Sequence, residues 1–303
     1  MIVASNGITY GNSIAKIVKY INMEIRELNS NEIPKRLTEI SQPAKRLFIR
    51  GVLPPNNLKN LVIVGSRKHS NYGKQVVCDI IAGLVGYPVN IVSGLALGID
   101  SLVHEQALKH GMYTTSFPGS GLDKKSIHPQ TNIKLADKIV ESGGCLVAEF
   151  PPNFKATQYS FPQRNRLMAA YSDAVLIIEA EEKSGTLITA RLALEYNRDV
   201  LVVPGSIYSE TSRGTNYLLS QGAMPVMSAN DVLLALGFDI KSPIKRTDIS
   251  DDEKVILDIL REPMTRDEII RECENPADEV NSLLMIMELR GLIIEDAGYF
   301  RRT

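Results

Sequence analysis

The sequence predicts an α/β fold: an extended Rossmann-like, mostly parallel sheet with helices on both faces, followed by a small C-terminal winged helix. Three observations carry this. Short β-branched runs at Leu61–Val64, Asn90–Val92, Ala174–Glu179 and Val200–Val203 read as buried parallel strands. Helical patterns separate them, so strand and helix alternate. The last fifty residues give three short helices and then a hairpin, the helix-turn-helix variant with a wing.

Taken in order, Ser13–Leu28 has apolar residues at helical spacing and predicts an amphipathic helix. Leu47–Ile49 is a strand before Gly51. Leu61–Val64 ends at Gly65-Ser66-Arg67, and Tyr72-Gly73-Lys74 opens a helix to Leu84. Asn90–Val92 ends at Ser93-Gly94, and a helix runs from Ile99-Asp100 to His110, with Gly111 as its stop. Met112–Phe117 is a strand, 132–142 a helix and Cys145–Glu149 a strand. Arg164-Asn165-Arg166 are expected just before a helix and the Ala174 strand. Lys183-Ser184-Gly185-Thr186 is a small-residue turn that opens the next helix, and Val200–Val203 closes a βαβ unit at Pro204-Gly205. A short helix over Ala229–Leu236 leads into a linker. Helices over Glu253–Leu260, Asp267–Glu272 and from Pro276 to Leu289 precede a hairpin of Gly291–Glu295 and Gly298–Arg301. The domains are therefore residues 1–45, a partly helical N-terminal extension; 46–236, the Rossmann-like domain; 237–249, the linker; and 250–303, the winged helix.

At 303 residues, 44% hydrophobic and 23% charged, the composition is that of a globular chain. No apolar run reaches membrane-spanning length, and no basic-then-apolar leader is present, which predicts a cytoplasmic protein without a membrane partner. Three scattered cysteines and four histidines show no metal-ligand spacing. No metal or other cofactor is expected. The net charge of −1 conceals an asymmetry: residues 1–60 carry nine Lys and Arg against four Asp and Glu, whereas 248–303 carry seven against fifteen, a net −8.

Four strand ends present small residues: Gly65-Ser66, Ser93-Gly94, Gly119-Ser120-Gly121 and Ser184-Gly185-Thr186. In a parallel sheet these ends share one edge, where backbone N–H groups and helix N-termini accept phosphate. Any one glycine is explained by a tight turn; four on one edge point to an anion site. Neither the dinucleotide fingerprint nor the P-loop spacing occurs. Arg67, Arg164 and Arg166 have the forks to clamp phosphates. Lys68, Lys124, Lys125, Lys183 and Arg213 lie in loops able to reach the same edge. Tyr159 and Phe161 are candidates for base stacking, although an aromatic before a core strand more often packs. Asp100 and Asp123 read as caps and His104 as a core histidine. No catalytic residue is assigned.

These motifs together resemble the DprA/Smf family of DNA-processing proteins. The resemblance rests on VIVGSR (62–67), IVSGLALGIDSLVHEQAL (91–108), FPQRNRLMAAYSDAVLIIEAEEKSGTLITARLAL (161–194), VPGS (203–206) and SRGTNYLLSQGA (212–223). It implies binding of single-stranded DNA, loading of the recombinase RecA in natural transformation or recombination, and a homodimer. The implied pocket comprises Ser66, Arg67, Ser93, Gly94, Arg164 and Arg166, with Lys183, Ser184 and Gly185 on the adjoining turn. Gly65, Lys124 and Asn165 complete the candidate set. Two departures stand out. His128-Pro129-Gln130-Thr131-Asn132 has histidine where the family usually has tyrosine. The N-terminal region is also too short for the sterile-alpha-motif-like domain of many members, which is expected to be absent. The acidic C-terminal domain, with no Lys or Arg between Pro276 and Leu289, is expected to bind protein rather than DNA. Two alternatives are a nucleotide sensor and a phosphoribohydrolase resembling the LOG enzymes. The latter's two glutamates are replaced by Ile188 and Thr189, which removes the carboxylate that glycosidic cleavage needs.

Overall fold

The β-branched runs form the centre of a nine-stranded sheet. The computed structural model describes residues 24–239, 250–273, 275–289, 292–296 and 298–302. The chain divides into two units, 1–239 and 240–303. In the first, the strands are β1 (Ile25–Glu27), β2 (Phe48–Gly51), β3 (Lys59–Val64), β4 (Val89–Ser93), β5 (Thr114–Ser116), β6 (Cys145–Ala148), β7 (Ala174–Ile177), β8 (Asp199–Val202) and β9 (Met224–Pro225). Their spatial order is β1-β2-β6-β5-β4-β3-β7-β8-β9. From β6 to β9 every pairing is parallel; β2 runs antiparallel to β6 and β1 antiparallel to β2.

The connecting helices are α1 (Asn71–Gly83), α2 (Ile99–Lys109), α3 (Ile133–Glu141), α4 (Ser160–Tyr171), α5 (Thr186–Glu195), α6 (Arg213–Ser220) and α7 (Ala229–Ala235). The chain steps from β3 outward through β4 and β5 to β6. Helix α4 then carries it back to lay β7 on the other side of β3. That reversal makes the β3–β7 junction the topological switch point, where a crevice opens beyond the strand C-termini. The central strands are dry: Leu61, Val62 and Ile63 of β3 and Val175, Leu176 and Ile177 of β7 are at most 1% exposed. One face of β3, through Val62 and Val64, packs with Leu167, Met168 and Ala170 of α4. This packing fixes α4 beneath the crevice.

The sequence expectations meet two corrections here. Residues 25–27 of the expected Ser13–Leu28 helix are strand β1, because Ile25, Arg26 and Glu27 pair with Arg50, Ile49 and Phe48; the earlier part of that helix lies outside the described residues. Residues 24–45 thus belong to the sheet unit. Arg164 and Arg166 do not precede a helix. They lie inside α4, and their side chains are buried.

The second unit contains α8 (Asp251–Ile259), β10 (Met264–Thr265), α9 (Arg266–Glu272), α10 (Ala277–Leu289), β11 (Ile293–Asp296) and β12 (Tyr299–Arg302), with strand order β10-β12-β11. Capping boxes start α8 (Ser250 with Glu253) and α9 (Thr265 with Glu268), each satisfying orphan N–H groups reciprocally. Ile256, Ile269, Val280, Leu284, Met287, Ile293 and Phe300 form its core. This is a winged helix. The first strand, β10, is too short to stand out in the sequence and exists through its pairing with β12.

Candidate nucleic-acid interface

At the switch point the chain leaves β3 through Gly65-Ser66-Arg67-Lys68 and leaves β7 toward α5 through Glu181–Gly185. Between these two loops and α4 lies an open cleft of about 690 Å³. Gly65 is required there because a Cβ would run into Ile99 of α2 at 2.7 Å. The Ser66 hydroxyl folds the loop back on itself, accepting from Lys68 N (3.1 Å) and donating to Lys68 O (3.0 Å). That tight turn leaves Arg67 and Lys68 exposed at the rim. The Arg67 guanidinium lies over the Phe161 ring, 5.3 Å from its centroid, and His128 packs against the same ring, 5.8 Å between centroids. Phe161 thus holds the rim arginine in place while keeping part of its own surface accessible.

The floor is polar. Arg164, 6% exposed, donates through Nη1 to the carbonyls of Gly94 and Phe117 at the ends of β4 and β5, and through Nε to Asn165 Oδ1 (2.9 Å). Burial lowers its pKa to about 10, so it remains cationic at neutral pH. Asp100 is also buried. Ala96 N donates to its carboxylate (3.3 Å), burial pushes its pKa up, and Arg164 partly offsets that. Gly94 makes this arrangement possible: a Cβ there would collide with both Arg164 and Asp100. Ser93 is fully buried and donates to Ile63 O (2.7 Å), so it braces β4 against β3 rather than facing the cleft. On the far wall, α5 points its N-terminus at the cleft. Ser184 Oγ accepts from Thr186 N (3.2 Å), and Asn165 Nδ2 reaches Gly185 O (3.4 Å). Thr189, 1% exposed, lines the same wall with a hydroxyl that has no partner.

Of the twelve sequence candidates, Gly65, Ser66, Arg67, Arg164, Asn165, Ser184 and Gly185 line the cleft. Gly94 lies behind Arg164 and Ser93 beneath the sheet edge. Three are elsewhere. Arg166 projects from the other side of α4, where it donates to Glu149 (2.5 Å) and to Gln42 O (2.7 Å); two residues along a helix turn a side chain by about 200°. Lys124 pairs with Asp137 (2.9 Å), which also holds Arg50 (2.5 Å). Lys183 is exposed on the turn without lining the cleft. Conversely, Lys68, Phe161, Thr186 and Thr189 line it. The sequence already offered Lys68 as a loop cation able to reach this edge and Phe161 as a stacking candidate, each with a plainer alternative; Thr186 was read only as part of the small-residue turn and Thr189 only as a replaced glutamate.

A neighbouring helix N-terminus is already occupied. Glu179, 2% exposed, sits at the start of α1 and accepts from Ser70 N (3.0 Å), Ser70 Oγ (2.5 Å) and Thr211 Oγ1 (3.1 Å). It satisfies the Ser70 N–H from within and ties the β3–α1 loop to the β8–α6 loop.

A doubly wound sheet with arginine and lysine at the rim of its switch-point cleft, in a chain that also carries a winged helix, defines a Rossmann-like class of two-unit protein. The family model of DNA recombination-mediator protein A matches residues 24–237, and that of the DprA winged helix domain matches 241–298. The chain belongs to the DNA recombination-mediator protein A family, whose members are named DprA or Smf. It is 32% identical to the Escherichia coli protein Smf over 295 residues, covering 93% of this chain and 78% of that one. It is 38% identical to the Streptococcus pneumoniae DNA processing protein DprA over 205 residues, 68% of this chain and 71% of that one. Among solved structures, the Streptococcus pneumoniae protein superposes with a TM-score of 0.66 at 33% identity, covering 74% of this chain and 79% of that one. Helicobacter pylori DNA processing protein A, whose structure addresses a single-stranded DNA binding mode, gives 0.62 at 30% identity, with 71% and 96% covered.

Proposed function

We propose that this protein binds single-stranded DNA in the β3–β7 cleft without cutting it, and that it assists loading of the recombinase RecA in transformation or recombination. The observation that carries the reading is the pairing of rim cations, Arg67 and Lys68, with a floor arginine and the N-terminus of α5. It is a phosphate-holding set that lacks a catalytic carboxylate pair. Ile188 and Thr189 line the wall where a phosphoribohydrolase would need glutamates. The only carboxylates among the described lining residues are Asp100, buried near Arg164, and Glu181. The single-stranded DNA binding of the Helicobacter pylori relative and the family's recombination-mediator name support the reading. RecA assistance and a homodimer are expected on the family resemblance, acting in the cytoplasm.

The winged helix fits a protein-binding part. The exposed face of α10 presents Asp278, Glu279 and Glu288 beside Met285 and Ile286, 66% and 48% exposed, a surface that DNA would repel.

Titration of a fluorescent poly-dT oligonucleotide across salt concentrations tests the function. Affinity should fall steeply as salt rises, with a slope near −0.7 per phosphate neutralised. Preference for a mononucleotide over the oligonucleotide would favour a sensor, and release of adenine from AMP would establish a hydrolase; either result overturns the proposal.

A further inference from the structure

The β8–α6 loop carries two of the most exposed apolar side chains of the first unit, Ile207 (76%) and Tyr208 (90%), at the same sheet edge as the cleft. The loop is firmly placed. Tyr72 of α1 donates its hydroxyl to Pro204 O (2.8 Å), and Gly205 is bracketed by Asn216, which accepts from its N–H (3.3 Å) and donates to its carbonyl (3.0 Å). Ser206 turns the chain, accepting from Tyr208 N (3.3 Å) and Ser209 N (3.0 Å). Thr211 O accepts from Ala180 N (2.8 Å), next to the cleft residue Glu181. Such anchoring would let an apolar side chain turn inward, yet Tyr208 stands in solvent.

The segment 67–72 is the wall shared by the two features. Arg67 and Lys68 face the cleft. On its other side Tyr72, 51% exposed, reaches Pro204 at the foot of the Ile207-Tyr208 loop. Lys74, the fourth residue of α1, and Arg213, the first residue of α6, are exposed and supply positive charge around this second site.

We propose that Tyr72 and Tyr208 form a stacking platform for nucleobases that flank the nucleotides held in the cleft, so that the single strand leaves the cleft over Lys68 and crosses the end of β8. The inference rests on the single-strand reading above. Exposed aromatics alternating with cations along a phosphate-binding edge suit an unpaired strand, because every base has a face to stack and no sequence is required. The two tyrosines lie outside the cleft, so they act only on a strand long enough to reach them.

The experiment measures affinity for a short oligo-dT that fills the cleft alone and for one several nucleotides longer, in the full chain. Tyr208→Ala should weaken binding of the longer oligonucleotide roughly tenfold and leave the short one unchanged, and Tyr208→Phe should restore it. Tyrosine fluorescence should be quenched by the longer strand in the wild type and less so in Tyr208→Ala. Equal affinities of Tyr208→Ala and wild type for the longer strand would overturn the platform while leaving the cleft reading intact. Failure of the wild type to bind either strand would overturn both. If Tyr208→Ala instead converts an oligomer to a monomer with unchanged affinity per chain, the loop is an interface between copies and the platform is likewise rejected.

Discussion

Two arginines in the cleft hold positive charge in opposite ways, and their variants should separate accordingly. Arg67 is exposed and leans on Phe161, so Arg67→Ala should lower single-strand affinity while leaving the unfolding midpoint within about a degree, as expected of a surface substitution. Arg164 is buried and bonded to the carbonyls that end β4 and β5, so Arg164→Ala should lose binding and about 2–4 kcal/mol of stability together. Parallel oligonucleotide titrations and thermal melts read both. Arg166→Ala should cost about 3 kcal/mol by stranding Glu149, with single-strand affinity of the folded protein unchanged. His104 adds a pH signature. It is wholly buried, Thr114 Oγ1 lies 2.8 Å from its Nδ1, and burial with some help from Arg164 lowers its pKa to about 3. In the unfolded chain it returns to about 6.5, so between these values the unfolded state binds the extra proton. Its contribution is therefore complete above about pH 6.5 and is lost as the pH falls toward 3, the loss reaching about 2 kcal/mol by pH 5. Asp100, raised by burial, works in the opposite sense, losing its contribution as pH rises above the ordinary carboxylate value. Comparing His104→Asn with wild type isolates the histidine: denaturant melts of the variant should change less between about pH 7.5 and 5.

At the scale of elements, the hydrophobic period made the sheet readable. Leu61–Val64, Ala174–Ile177 and Val200–Val202 are buried on both faces, so their sequence is a plain apolar run with no competing reading. Strand β1 was not readable, because Ile25-Arg26-Glu27 is one apolar residue and two charges, an edge strand held by its pairing with β2. The QRNR segment misled for a related reason. Two arginines and an asparagine look like a loop, yet α4 buries all three because carbonyls at strand ends and Glu149 receive them. A polar helix interior is encoded by partners from distant chain segments, which local pattern does not reveal. The glycines were readable as turns, but their service as clearance for Arg164 and Glu179 was not. Gly73 illustrates this: a Cβ would lie 2.5 Å from Glu179 Oε2. Gly73→Ala should cost about 1–3 kcal/mol by forcing the buried carboxylate aside, although alanine is the better helix former. A melt showing stabilisation would contradict that packing.

Across the whole molecule, charge is partitioned by domain. The final 56 residues are net −8, so the remainder is net +7 at the same overall −1. If the first unit alone grips the strand, removing residues 250–303 should leave oligo-dT affinity at moderate salt within about threefold of wild type or raise it, since an acidic body repels the strand's phosphates. A large loss of affinity would place the winged helix on the DNA. Fold and family were visible from the order of motifs along the chain, whereas the division of labour among the cations was not. Lys124 and Arg166 have the same chemistry as Lys68 and Arg164, and only the three-dimensional neighbours Asp137 and Glu149 distinguish their placement.

The buried Glu179 bears on the direction in which a strand can travel. Several helices start along the same sheet edge, and a bare row of them would offer a phosphate several equivalent stops. With the protein's own carboxylate fixed at the start of α1 by Ser70 and Thr211, the Ser70 N–H is already taken from within and that helix start is closed to an incoming phosphate. One internal acceptor thereby sets the start of α1 apart from the other helix starts on that edge, so a strand crossing Tyr72 and Tyr208 is expected to do so through stacked bases rather than through a phosphate docked at that helix.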